Sequence, residues 1–274
     1  MNKLILANDG IDAVGKSLLE KAGFTVVTDK VAQENLAKEI NDKGYAALTV
    51  RSATKVRKEV IDACPNLKVI GRGGVGMDNI DVDYARSKGI QVINTPAASS
   101  NSVAELVFAH LFNAVRFVYD SNRNMPHNGS TKFEELKKNY SKGIELRDKT
   151  IGIIGFGRIG QYTAKIALGC GMKVLAYDPF VKEANLHLDI HGTNGLDVNI
   201  TTVSLEELIS NSDMISMHVP GGKMITEKEI AQMKQGVILI NASRGGVIDE
   251  TALMNGLDSG KIAHACLDVF ENEP

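Results

Sequence analysis

The sequence predicts an α/β protein built from two doubly wound parallel-sheet domains. Three observations lead there. Short apolar runs alternate with helical patterns along the whole chain, as they do where parallel strands are joined by crossover helices. A glycine-rich turn stands between an apolar strand and a helix at 155–160, in mid-chain rather than near the start. The length, 274 residues, is long for one core and comfortable for two.

In the first third, strands are expected at Leu4–Ala7, Thr25–Val27, Ala46–Val50, Lys68–Gly71 and Gln91–Asn94, with helices such as Ile11–Ala22 and Arg57–Cys64 between them. These make a first domain over residues 1–98. Ser102 and Glu105 then have the spacing of a capping box, in which each side chain satisfies an orphan backbone donor. The helix expected to follow, Val103–Val118, carries Leu106, Val107, Phe108, Leu111, Phe112, Val115 and Phe117 around most of its circumference, so it should be buried on several sides. It is either an ordinary core helix or a connector that also packs on a second subunit, which would make a homodimer through Ser102–Val118. A second domain, 99–274, has strands at Ile151–Ile154, Val174–Tyr177, Met214–His218, Val237–Asn241 and Ile262–Val269. Its helices are Ile159–Leu168, Leu205–Ser210, Glu227–Met233 and Glu250–Leu257. Residues 185–199 show the weakest pattern and read as loop.

Composition narrows the chemistry. A net charge of −2 creates no field that would gather nucleic acid or an anionic membrane, so a small-molecule partner is expected. Cys64, Cys170 and Cys266 lie far apart without C-x-x-C spacing, which supports neither a disulfide framework nor a metal site. Cys170 and Cys266, among small and apolar residues, read as core thiols of a reducing compartment. The first apolar run ends at Asn8-Asp9, too short for a signal peptide, and no stretch nears the ~20 apolar residues of a membrane span. A cytoplasmic protein is expected.

Gly155-Phe156-Gly157-Arg158-Ile159-Gly160 supplies the chemistry. Its first glycine makes the turn, its second lets backbone approach a pyrophosphate, and its third allows close helix–strand packing. The helix that follows aims free N–H groups and a positive dipole end at the phosphates. Asp178, closing the next strand, suits the adenosine ribose hydroxyls and would repel a 2′-phosphate. The cofactor expected is NAD.

Around this turn stand Arg51-Ser-Ala-Thr, Gly71-Arg-Gly-Gly-Val-Gly-Met-Asp-Asn-Ile-Asp81, Asn94-Thr-Pro, Ser102-Val-Ala-Glu-Leu, Asn241-Ala-Ser-Arg-Gly-Gly246 and Asp268-Val-Phe-Glu-Asn-Glu-Pro274. Their order and spacing resemble the D-2-hydroxyacid dehydrogenases over essentially the whole chain, and within them most closely the phosphoglycerate branch. The resemblance implies a flavodoxin-like substrate domain and a Rossmann-like cofactor domain. It implies that Arg244 holds the substrate carboxylate and polarises the carbonyl, a task suited to a planar guanidinium. Glu273 would pair with a catalytic histidine and raise its pKa; without the resemblance it would read as a loop acid. Val75 and Gly76, in a loop able to turn N–H groups inward, would bind the carboxylate, although such a loop is also an ordinary tight turn. Arg51 and Ser52, with Arg72 assisting, match a phosphate dianion. His218, Val219, Pro220, Ala242, Ser243, Arg244 and Asp268 would border the cofactor.

Two departures from the family pattern stand out. The connection Gly221-Gly-Lys-Met224 is shorter than usual. The family's general-base histidine lies beyond the Glu-Pro motif; it is expected after Pro274, together with a segment returning to the first domain. His110 and His264 read as core residues, and His127, His187 and His191 as residues of polar loops. The implied reaction is oxidation of a D-2-hydroxyacid, foremost D-3-phosphoglycerate to 3-phosphohydroxypyruvate in serine biosynthesis. The alternatives are a glyoxylate or hydroxypyruvate reductase and an NAD-sensing corepressor.

Overall fold

A computed structural model of the chain describes residues 3–273; Pro274, which ends the acidic motif, lies outside them. The chain divides into two compact units, 1–99 and 100–274.

The first unit is a five-stranded parallel sheet of β1 (Leu4–Ala7), β2 (Thr25–Val27), β3 (Ala47–Val50), β4 (Val69–Arg72) and β5 (Gln91–Asn94), in the order β2-β1-β3-β4-β5. Helices α1 (Ala13–Lys21), α2 (Leu36–Lys43), α3 (Lys58–Ala63) and α4 (Val82–Ser87) cover it. Leu6, Leu48 and Ile70 from the three central strands are fully buried, and Leu36 and Ile40 of α2, one turn apart, pack into the same core.

The second unit opens with α5 (Ser100–Arg116) and α6 (Val118–Tyr140), and then β6 (Thr150–Ile154), α7 (Arg158–Gly169) and β7 (Lys173–Tyr177). An antiparallel hairpin, β8 (Glu183–Leu188) and β9 (Leu196–Thr201), comes next. The unit ends with α8 (Leu205–Asn211), β10 (Met214–Met217), α9 (Glu227–Gln232), β11 (Val237–Asn241), α10 (Glu250–Asp258) and β12 (Ile262–Leu267). Its parallel sheet runs β12-β11-β10-β6-β7. Strands β10 and β11 are buried at every position and feed two cores by strict alternation. Ile238 and Ile240 face α5 and α7, whereas Val237 and Leu239 face α8, α9 and α10.

Leaving the hairpin aside, both sheets have the same winding, in which the second strand lies outside the first and the third to fifth lie on its other side. That arrangement opens a crevice at the carboxyl ends of the first and third strands, the usual ligand position in such sheets. Gly155 and His218 hold it in the second unit, Asp9 and Arg51 in the first.

Several expectations are corrected. Helix α5 begins at Ser100, so Ser102 lies inside it and forms no capping box; the Glu105 carboxylate instead accepts from Asn101 Nδ2 at 2.6 Å. The helix ends at Arg116, where Phe117 adopts a left-handed φ of 52° and the Asn113 side chain caps the Tyr119 N–H of α6. Its burial within the chain is one stripe, Ala104, Val107, Phe108, Leu111 and Val115, with Phe112 exposed at its flank beside the Phe108 ring. Helix α6 is new, and it places His127 on a helix rather than in a loop. Its Asn, Ser, Pro and Gly content conceals it, and only Leu136 is buried. Residues 185–199 belong to the hairpin instead of a loop, with Leu186 and Ile200 inward. His187 sits on β8, where its Nδ1 lies 2.9 Å from the cross-strand Asp197.

Candidate functional site

The glycine turn of the second unit is shaped by what glycine omits. Gly155 has φ of 93°, and a Cβ on it would lie 2.5 Å from the His218 carbonyl oxygen. A Cβ on Gly160 would strike the Gly155 carbonyl, so the first turn of α7 packs directly on β6. At Gly157 a Cβ would meet no protein atom within 4 Å. Gly157 is the N-cap of the 12-residue α7 and supplies no side-chain acceptor, leaving the first N–H groups of the helix to an external anion. This open cradle fits the pyrophosphate of NAD.

Phe156 is fully buried, and Arg158 and Ile159 open α7. Asp178 does more than the ribose contact expected of it. Its Oδ2 accepts from the Phe156 N–H at 2.8 Å, and its Oδ1 accepts from the Phe180 and Val181 N–H groups at 2.8 and 3.0 Å. One carboxylate therefore ties the glycine turn to the loop leaving β7, with acceptor capacity still available for a hydroxyl.

The His218–Pro220 segment flanks the turn, with a Val219 methyl packed toward Gly155. The His218 Nε2 lies 3.0 Å from Ser216 Oγ and 3.3 Å from Thr163 Oγ1, while its buried Nδ1 has no partner. Burial pushes its pKa down to about 4, so the ring is neutral near pH 7 and is no candidate for a base that must carry a proton there. Burial likewise lowers His264, which meets Phe117 edge-on with centroids 6.2 Å apart.

Arg244 follows β11 in a turn organised by the buried Asn241. The amide accepts from Ser243 N–H and Oγ at 3.1 and 2.8 Å and donates to the Arg244 carbonyl at 2.9 Å. Arg244 Nη1 donates to the Ser243 carbonyl at 2.7 Å, and Ala242 packs into the core beside it. The segment with Asp268 and Glu273 is threaded alongside. The Asp268 N–H donates to the Asn241 carbonyl at 3.0 Å, and a Cβ on Gly245 would lie 2.5 Å from the Phe270 carbonyl carbon. Glu273 Oε1 accepts from the Phe270 N–H at 3.1 Å and meets no histidine among the described residues.

In the first unit, polar side chains at the carboxyl ends of β1 and β3 build a second rigid turn. Asp9 Oδ2 accepts from the Arg51 and Thr54 N–H groups at 2.7 and 3.0 Å, and its Oδ1 accepts from Thr54 Oγ1 at 2.7 Å. Burial acts to raise the Asp9 carboxyl, but hydrogen bonds from Thr54 and Arg51 outweigh it and hold the pKa below the ordinary value. The buried Asn8 donates to Thr54 Oγ1 at 2.9 Å, and Asn79 donates to the Arg51 and Thr54 carbonyls. With that backbone satisfied, the Arg51 and Ser52 side chains are left to the exterior.

Arg51 and Arg72 line one hollow of about 790 Å³ with Asp9, Gly73 and Thr95. Arg51 and Ser52 line a neighbouring one of about 450 Å³ with Lys30. Val75 and Gly76 line neither, although their N–H groups donate to no acceptor among the described residues. Asn94 Nδ2 holds the Val75 carbonyl at 2.7 Å, and the Thr95 N–H holds that of Gly74 at 3.1 Å. Sequence reasoning missed Asn8, Asp9, Thr54, Asn79 and Asn241. Their signal was position, since several are short polar residues just past the carboxyl ends of predicted strands. Among the described residues no group of three His, Cys, Asp or Glu side chains could hold a metal, and no helix is long and apolar enough to cross a membrane.

Residues 108–274 match the model for the NAD binding domain of D-isomer specific 2-hydroxyacid dehydrogenases. The chain is 42% identical to a hydroxypyruvate reductase of Thermotoga maritima over 97% of its own length and 82% of the relative's. It is 41% identical to a D-3-phosphoglycerate dehydrogenase of Methanocaldococcus jannaschii over 98% of its own length, spanning about half (49%) of that protein. Among solved structures, a D-lactate dehydrogenase from Aquifex aeolicus complexed with NAD and lactic acid superposes with a TM-score of 0.71. It is 31% identical, over 98% of this chain and 77% of that one.

Two outcomes are expected from this geometry. His218 titrates near 4 when folded and near 6.5 when unfolded, so between those values the unfolded chain binds the extra proton. Stability contributed by the neutral ring is complete above pH ~6.5 and is lost as pH falls toward ~4. The drop in melting temperature between about pH 7 and about pH 4.5 should shrink in His218→Gln; an unchanged drop would place the acid sensitivity elsewhere. The second concerns Asp178. A 2′-phosphate beside it would meet repulsion of up to ~4 kcal/mol at ~4 Å and an effective dielectric of ~20, so NAD should be preferred over NADP. Asp178→Ala should narrow that preference while also weakening NAD roughly tenfold, because the Phe156 N–H loses its acceptor. Equal kcat/KM for both cofactors in the parent would refute the argument.

Proposed function

Because this chain belongs to the D-isomer specific 2-hydroxyacid dehydrogenase family, we propose that it oxidises D-3-phosphoglycerate to 3-phosphohydroxypyruvate with NAD. The observation that carries the substrate is the number of cations in the first unit. A simple 2-hydroxyacid brings one carboxylate, which the free N–H groups of Val75 and Gly76 are suited to bind within this unit. Arg51 and Arg72 in one hollow, with Ser52 and Lys30 in the next, are surplus to that need. They suit a second, doubly charged group, and a phosphate on C3 supplies it.

Each residue then has a role. Gly155, Phe156, Gly157, Arg158, Ile159 and Gly160 hold the pyrophosphate, Asp178 the adenosine ribose, and His218, Val219, Pro220, Ala242, Ser243 and Asp268 the rest of NAD. Bound NAD supplies the electron sink, accepting a hydride from the carbinol carbon. Arg244 orients the carboxylate and stabilises charge as the hydroxyl oxygen becomes a carbonyl. Glu273 is the carboxylate that would pair with the base receiving the hydroxyl proton. The same reading places the protein in serine biosynthesis, and the exposed Phe112 face of α5 is where a homodimer would form.

A second reading has its own support in the hydroxypyruvate reductase relative, which is 42% identical to this chain, beside the 41% of the phosphoglycerate enzyme. Kinetics separate the two. Arg51→Ala should raise KM for 3-phosphoglycerate by about 1.5–3 kcal/mol, roughly tenfold or more, and leave glycerate nearly unaffected. If the parent handles glycerate and 3-phosphoglycerate equally well, hydroxypyruvate reduction is the better assignment. Arg244→Lys keeps the charge but not the planar fork. It should lower kcat/KM strongly on any 2-hydroxyacid with the NAD Kd unchanged, whereas activity within about twofold of the parent would remove Arg244 from the reaction centre.

A further inference from the structure

We propose that Gly74 is a positioning residue whose missing side chain is the berth of the Arg72 guanidinium, turning that arginine into a fixed anion receptor. This rests on the placement of Arg72 in the substrate site. Strand β4 ends at Arg72, and the chain turns back at once, the Gly74 N–H donating to the Arg72 carbonyl at 3.0 Å. The arginine side chain folds over this turn. A Cβ built on Gly74 would overlap its Nη1 and lie 2.7 Å from its Cζ. The guanidinium therefore occupies the volume in which any other residue at 74 would carry its side chain.

Three further facts give the berth a purpose. Arg72 Nε is buried without a hydrogen-bond partner, and no carboxylate pairs with the guanidinium among the described residues, so its charge is left for a ligand. Arg72 and Arg51 line the same hollow. The Gly74 peptide cannot swing aside, because the Thr95 N–H holds its carbonyl and Asn94 holds the next one. A long side chain that would otherwise lose much rotamer freedom on binding an anion is thus ordered beforehand by contact with a fixed backbone. A Cβ on Gly73, by contrast, would come no nearer than 3.5 Å to Arg51 Cγ, an ordinary contact.

The test is a double-mutant cycle on the full chain. It is read by the Kd of inorganic phosphate, by KM and kcat on whichever 2-hydroxyacid the parent turns over best, and by the NAD Kd as a check on folding. Gly74→Ala should weaken phosphate and raise KM by roughly tenfold or more, the loss expected for a displaced charge-assisted contact, with NAD binding unchanged. In an Arg72→Ala background, where the berth has no occupant, Gly74→Ala should add less than about twofold. The proposal is overturned if Gly74→Ala costs as much without the arginine as with it, or if Arg72→Ala leaves phosphate binding unchanged. A parent that prefers glycerate would refute the substrate proposed above, while the coupling between positions 72 and 74 would still be read through phosphate and through glycerate itself.

Discussion

A doubly wound sheet leaves its ligand crevice where two neighbouring strands send their connections to opposite faces, and the backbone there is deprived of the partners that regular structure provides. Such groups must be satisfied by side chains or the turns would collapse into the space a ligand needs. This chain answers in the same way in both units, with short side chains that bond the backbone directly. Asp9 gathers the N–H groups of Arg51 and Thr54, Asp178 those of Phe156, Phe180 and Val181, and Asn241 both ends of the Ser243–Arg244 turn. The residues assigned to substrate and cofactor are carried on these laced turns, and their geometry is only as good as the lacing.

The electrostatics of the two units differ accordingly. At the glycine turn of the second, the donors left open are backbone N–H groups at a helix start, and the nearest imidazole is kept neutral by burial. An anion at that turn would be met by dipoles rather than by a formal charge. In the first, guanidinium groups face a hollow with no neutralising carboxylate bonded to them, which suits discrimination by formal charge.

Much of this was legible in the sequence because periodicity, glycine and strand ends each report one physical cause. The ten sheet strands were readable, and so was the glycine turn, since its residues satisfy steric demands that no other type meets. Helix α6 was not, because a helix with one buried residue carries no apolar stripe, and its Asn, Ser, Pro and Gly read as loop. The hairpin β8–β9 was overlooked although Ala184, Leu186, Val198 and Ile200 alternate as a half-buried strand pair requires. The capping box at Ser102 failed for a different reason: Glu105 had a better-placed partner one turn earlier in Asn101, and local spacing cannot rank two such partners. The backbone role of Asp178 was invisible because a motif records which residue is present, not how many of its lone pairs are already in use.

That backbone role, beside the proposed ribose contact, constrains how the protein can evolve. A lineage adapting to a phosphorylated dinucleotide would ordinarily begin by losing the acidic residue at the ribose. Here the same step unties the glycine turn from the loop beyond β7, so the first substitution on that path impairs binding of every dinucleotide before it favours the new one. The order of mutations is therefore restricted. A substitute acceptor for the Phe156 N–H has to arise first, while it is still redundant, and only then is the carboxylate at 178 free to be lost.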